Sequence, residues 1–235
     1  MPAPELAVGS WGFLAYTILC TTGLEVEAKI ARRAGLAAVV GGGDHRRTVQ
    51  VVEEAGARAE CLVSFGIAGA LSPDLKPGDI VLSTEVIDED RRWVSGESLR
   101  ARLPALVEEI GAIEGPVLGA QMVLATEADK RRAWEETGAI AVDLESVVVA
   151  RAGAALGIPF LVLRAIADPA TRALPPAALV PLSVAGKPQI GQVLASVMRQ
   201  PQQLPTLLGV AREARQALAA LVGPAHALRR ALAEV

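Results

Sequence analysis

Apolar positions in this chain fall into two rhythms. Short, largely apolar runs at 15–20, 37–40, 61–65, 79–86, 117–124, 140–142 and 160–166 predict strands. Between them, at 24–34, 46–55, 99–110, 128–136, 144–156, 192–198 and 204–221, apolar residues recur every three or four positions and predict helices. Strands that are apolar on both faces and alternate with helices predict an α/β fold, a sheet covered by helices on either side, in one domain spanning 1–235.

The boundaries carry their own chemistry. Thr22 followed by Glu25 matches a capping box and predicts a helix directly after the first strand. Gly157 and Pro159 end the helix at 144–156 and feed the strand at 160–166. The proline- and alanine-rich stretch 169–205 reads as an ordered surface excursion, and the Ala/Arg-rich tail after Gly223 as a helix. Residues 6–24 carry no charge, yet Pro2, Pro4 and Glu5 precede them and Gly9, Ser10 and Gly12 interrupt them. A buried first strand accounts for this better than an export signal or membrane span, so a cytoplasmic location is expected.

Charge and composition remove several classes of function. A net charge of −3 supplies no basic field for a polyanion, so nucleic acid is not an expected partner. Cys20 and Cys61 lie in apolar runs, far from each other and from His45 and His226. They read as reduced core residues, and no metal site is assigned.

In open α/β sheets ligands gather beyond the carboxyl ends of the strands, and four segments put reactive groups there. The first is Gly-Leu-Glu-Val-Glu at 23–27, where Glu25 has a local role as the partner of Thr22 and Glu27 has none. Glu27 is therefore either a solvated helix residue or a group that activates water. The second is Ser-Phe-Gly-Ile-Ala-Gly-Ala at 64–70, where Gly66, Ile67, Ala68 and Gly69 form a turn that can aim amides at an oxyanion or a sugar. The third is Asp143, Leu144 and Glu145 at a helix entrance. Asp143 suits an N-cap and Glu145 the helix dipole, but one carboxylate can also accept both hydroxyls of a ribose diol. In the fourth, Arg164 lies within an apolar strand that ends in Asp168. Desolvation there can keep a carboxylic acid protonated, able to donate to N7 of a departing purine.

Taken in this order, the four segments resemble the purine nucleoside phosphorylase and methylthioadenosine/S-adenosylhomocysteine nucleosidase superfamily. The resemblance implies a nucleoside phosphorylase-like, three-layer α/β domain with a central mixed β-sheet, assembled as a homo-oligomer. It implies that Asp168 is the purine acid and Glu27 orients the attacking water. Glu145 then holds the diol with Leu144 under the sugar, and Asp143, Gly66, Ile67, Ala68, Gly69 and Arg164 complete the substrate site. Lys-Pro-Gly-Asp at 76–79 matches a further family segment. Ile67, Ala167 and Asp143 depart from the family pattern, and no aromatic residue for stacking on the base stands between Val123 and Arg131. Segments 63–69 and 167–181 look most like the hopanoid-associated branch, which implies removal of adenine from adenosylhopane.

The expected ligand is therefore a small adenine nucleoside with an apolar 5′ group. No cofactor is expected beyond phosphate as a co-substrate, for which Arg46, Arg47, Arg91, Arg92 and Arg164 are the available cations. Hydrolysis and phosphorolysis both stand open. So does a methylthioadenosine-type nucleosidase, and a non-catalytic nucleoside-binding protein is the alternative of a different class. A nucleotide-dependent oxidoreductase is disfavoured, since Leu71-Ser72-Pro73 stands where a dinucleotide fingerprint needs a helix. The 175–181 stretch and Trp93 offer apolar surface for a 5′ pocket or a peripheral membrane contact.

Overall fold

Strands without polar positions can be buried only if both faces are covered, and that requirement organises the molecule. The computed structural model describes residues 16–56, 58–88 and 91–232. The chain runs β1 (Tyr16–Thr22), α1 (Glu25–Arg33), β2 (Ala37–Val40), α2 (His45–Gly56), β3 (Ala59–Ala70), β4 (Ile80–Ser83), β5 (Glu85–Asp88) and β6 (Arg91–Val94). It continues α3 (Glu97–Arg100), α4 (Leu103–Ile110), β7 (Ile113–Glu114), β8 (Val117–Gly119), α5 (Glu127–Thr137), β9 (Ala141–Asp143), α6 (Ser146–Leu156) and β10 (Phe160–Asp168). After a 3-10 turn at Pro176–Leu179 it ends in α7 (Ile190–Arg199), α8 (Leu204–Ala220) and α9 (Val222–Leu232).

These strands form one mixed sheet centred on β3. β10 runs parallel to β3 along one edge, with Leu163 opposite Phe65. On the other edge β1 pairs in parallel with the first half of β3 as far as Ser64, while β9 joins antiparallel at Gly69 and Ala70. The sheet therefore forks, with β2 beyond β1 and β8, β5 and β6 beyond β9. Between Ser64 and Gly69 that edge of β3 has no strand partner among the described residues, and a cavity lined by Ile67, Ala68 and Gly69 opens there.

Side-chain alternation divides the core in two. Cys20, Val63 and Leu163 face one side and pack with Ala31 of α1, Leu106 of α4, Ala217 of α8 and Leu228 of α9. Leu19, Leu62 and Val162 face the other, against Val52 of α2 and Val148 of α6. Both cysteines are free and buried, and desolvation pushes the Cys61 thiol up to about 12.

Several expectations are corrected. The run 79–86 is two strands, because the chain turns at Thr84 from a place beside β10 to one beside β8, with Ser83 Oγ donating to Glu85 O across the corner. The predicted strand 117–124 stops at Gly119, and residues 121–124 line the cavity. The Gly-rich segment 64–70 is strand as far as Ala70. Glu25 does not cap α1: the cap residue is Leu24, whose N–H donates to Glu27 Oε2 at 2.8 Å, while Thr22 Oγ1 donates to backbone carbonyls. β6 and β7 are strands that the pattern did not predict. Ala15 and residues 6–14 of the uncharged run lie outside the described residues.

Candidate active site

The unpaired stretch of β3 forms the floor of the site. Gly66 there lets two buried side chains meet: an added Cβ would lie 2.5 Å from Glu27 Oε1 and 2.7 Å from Arg164 Nη1. Glu27 points back from the first turn of α1 and is 2 % exposed. Its Oε1 accepts from Ile67 N at 2.8 Å, so the carboxylate takes up an amide that a neighbouring strand would otherwise bind. Burial pushes its pKa up, against the pull of Arg164 and the amide bonds.

Arg164 is the hub of a buried polar network. Its Nε donates to Asp143 Oδ2 at 2.6 Å, and its Nη2 donates to Ser64 Oγ at 2.6 Å and Glu145 Oε2 at 3.2 Å. Asp143 Oδ1 also accepts from the backbone N–H groups of Glu145 and Ser146, and its Oδ2 from Ser146 Oγ. The cap residue of α6 is Glu145 rather than the expected Asp143, which instead binds the first amides of the helix from one turn back and holds the guanidinium. With its acceptor positions taken by the protein, the free carboxylate capacity on this side belongs to Glu145. Gly23 packs directly on Glu145, since a Cβ there would lie 2.7 Å from Oε1. Burial first, and then the neighbouring Asp143 and Glu27 charges, push Glu145 up to about 7 despite Arg164.

Asp168 ends β10 beside Gly69 of β3. Lys130 of α5, only 1 % exposed, donates from Nζ to Asp168 Oδ2 at 2.5 Å, to Pro169 O at 2.9 Å and to Arg172 O at 3.0 Å. Those bonds use the three protons of an ammonium, so Lys130 holds Asp168 and has none left for a ligand. Desolvation raises the Asp168 pKa, and Lys130 opposes the rise.

Glu27, Asp143, Leu144, Glu145, Ile67, Ala68, Gly69 and Asp168 all line one cavity of about 540 Å³, a volume suited to a small molecule. Gly66 and Arg164 do not line it; they stand behind its wall, supporting Glu27 and Glu145. Trp93 is also elsewhere. It stacks on Arg151, 5.4 Å from the guanidinium carbon to the ring centroid, in a second cavity with Asp88 and Arg91. Of the five arginines named for a phosphate, none lines the nucleoside-sized cavity: Arg47 Nε donates to Val40 O, Arg92 pairs with Glu85, and Lys130 is the cation present among the described lining residues.

Sequence reading missed Lys130 altogether. Its helix is charged on every turn, and nothing in the spacing separates it from the exposed Arg131 and Arg132. It also missed the Gly42–Asp44 turn and residues 121–123, which close the cavity through tertiary packing. The excursion was legible: Leu174, Ala178, Leu179, Val180, Pro181 and Leu182 give the same cavity an apolar stretch of lining.

Residues 38–184 match the phosphorylase superfamily. A 5′-methylthioadenosine/S-adenosylhomocysteine nucleosidase of Mycobacterium bovis is 27 % identical over 148 residues, covering 46 % of this chain and 58 % of the relative. The chain thus spans little more than half the length of that relative. Among solved structures, a Helicobacter pylori futalosine hydrolase superposes with a TM-score of 0.62 at 14 % identity, covering 89 % of this chain and 97 % of the other. A mutant methylthioadenosine nucleosidase of the same organism, with 5′-methylthioadenosine in its active site, gives 0.63 at 14 %, covering 94 % and 100 %. At such identities these structures show the shared fold.

Proposed function

The chain belongs to the phosphorylase superfamily, and from that premise we propose that it cleaves the N-glycosidic bond of an adenine nucleoside bearing an apolar 5′ group. One observation carries the reading: three acids from β10, α1 and the start of α6 line one cavity that the apolar residues of 174–182 also line. Glu145 accepts the ribose diol, and the purine lies towards Asp168. As the C1′–N9 bond breaks, its electron pair passes to the purine, and the proton on Asp168 moves to N7 so that neutral adenine leaves. Water adds to C1′ and gives its proton to Glu27, which leaves a free sugar.

Water suits this lining better than phosphate. An oxyanion needs convergent cations or free amides, and the cation here, Lys130, is already saturated. The apolar wall at 174–182 favours a large 5′ substituent, and adenosylhopane, with a role in hopanoid synthesis, is the substrate this reading names. A methylthioadenosine/S-adenosylhomocysteine nucleosidase is the second reading, favoured by the mycobacterial relative.

Adenine release from adenosine, methylthioadenosine and long-chain 5′-alkyl adenosines, with phosphate varied, separates these readings. The expected result is release without phosphate, with kcat/KM rising with chain length and lost about 10²- to 10⁴-fold in Asp168→Asn. A sugar 1-phosphate as product overturns hydrolysis. Preference for methylthioadenosine moves the assignment to the second reading, and undiminished turnover in Asp168→Asn removes the acid from its role.

A further inference from the structure

α7 lies on the surface with none of its residues buried, although its sequence is amphipathic. Ile190, Leu194 and Met198, four positions apart, are 63 %, 58 % and 80 % exposed, and Val184 just before them is 71 % exposed. Single exposed apolar side chains are ordinary, but a repeating stripe of them on one short segment marks a contact surface. The helix packs on the Pro176–Leu179 turn, so it covers the outside of the cavity's apolar wall.

Charge selects the occupant. From 169 to 212 the chain has no Asp or Glu, but it has Arg172, Lys187, Arg199 and Arg212, within a protein of net charge −3. Arg172 is paired with Glu213. Lys187 and Arg199 flank the two ends of α7, are exposed, and have no carboxylate partner among the described residues. A second copy packed two-fold through this face would set each cationic rim against its equal. A surface with aliphatic chains beneath and phosphates above suits both features, because the stripe can enter the acyl boundary while Lys187 and Arg199 meet the headgroups.

We propose that α7, with Val184, Lys187 and Arg199, docks the protein reversibly on an anionic lipid bilayer and so presents the apolar wall of the cavity to the membrane. The proposal deepens the reading of an apolar 5′ substituent and rests on it for the purpose of docking; the docking itself is measured independently of catalysis. With one short helix and few charges, the contact is weak and weakened by salt.

The test is co-sedimentation of the purified chain with phosphatidylcholine vesicles, with and without phosphatidylglycerol, at low and high salt. Binding is expected on the anionic vesicles, at least about tenfold weaker on neutral ones or in high salt. It should be lost in Ile190→Gln/Leu194→Gln/Met198→Gln and, separately, in Lys187→Glu/Arg199→Glu. Adenine release from a short, soluble nucleoside should be unchanged in both variants, which separates failure of docking from failure of the enzymatic reading. No sedimentation of the wild type, or equal sedimentation of the variants, overturns the proposal. So does a wild-type oligomer that the triple variant turns into monomers by light scattering, because the stripe then belongs to a second copy.

Discussion

On the Glu145 side of the cavity one guanidinium serves three carboxylates, whereas at Asp168 one ammonium serves one. Arg164 interacts with Asp143, Glu145 and Glu27, and it cannot compensate all three when each is ionised. Burial with a single cation shared among them raises the proton affinity of the acids, which is why Glu145 and Glu27 are both pushed up. Lys130 and Asp168 form a matched pair, so desolvation and attraction oppose each other on a single group. The Glu145 side is thus a buried cluster short of positive charge, whereas at Asp168 the cations Lys130 and Arg172 oppose desolvation and Glu213.

Arg164→Met strands Asp143, Glu145 and Glu27 in the core and should cost about 3–5 kcal/mol in denaturant unfolding at pH 8. Less should be lost at pH 5, where Glu145 and Glu27, both pushed up by burial, can take up protons. Equal losses at both values would show that the network does not hold three competing charges.

Lys130→Met should act on rate and pH. It removes the cation that lowers the Asp168 pKa most, with Arg172 left as the lesser one, so the acid keeps its proton to higher pH. The alkaline limb of kcat/KM for adenine release, which reports the free enzyme, should then move up by about one pH unit. A fall in activity with the limb unmoved would reduce Lys130 to a support for Pro169 and Arg172.

The smallest effect sharpens the contrast through stability. A carboxyl raised from 4.5 to about 7 in the folded state favours folding fully below pH 4.5 and loses that contribution as pH rises to 7. Glu145→Gln does not titrate, so its stability relative to wild type should improve across this window, by on the order of 1–3 kcal/mol, and stay level above it. Urea unfolding at pH 5, 6, 7 and 8 measures the difference, and a flat difference would mean that Glu145 carries no excess proton in the free protein.

The pieces that a linear reading placed correctly are those with short-range causes. Residues 37–40 are a strand because they are apolar and flanked by turn formers, and α6 stops at Leu156 because Gly157 takes φ 68°. The acids at 145 and 168 stand at strand-to-helix or strand-to-loop junctions that the pattern itself marks. Glu27 lines the cavity, but the pattern assigns the helix cap to Glu25, because choosing between two glutamates needs the β3 edge that only one of them reaches.

By itself the sequence determined the alternation of strands and helices, the junctions where polar groups emerge, and the apolar character of 174–182, all of which follow from neighbours a few positions apart. Only the tertiary structure decided that Lys130 meets Asp168 across 38 residues, that Arg164 stands behind the wall, and that the β3 edge is left open for Glu27. The physical reason is that burial and pairing energies depend on what packs from distant elements, and a charged side chain reads alike in sequence whether it ends in solvent or in the core.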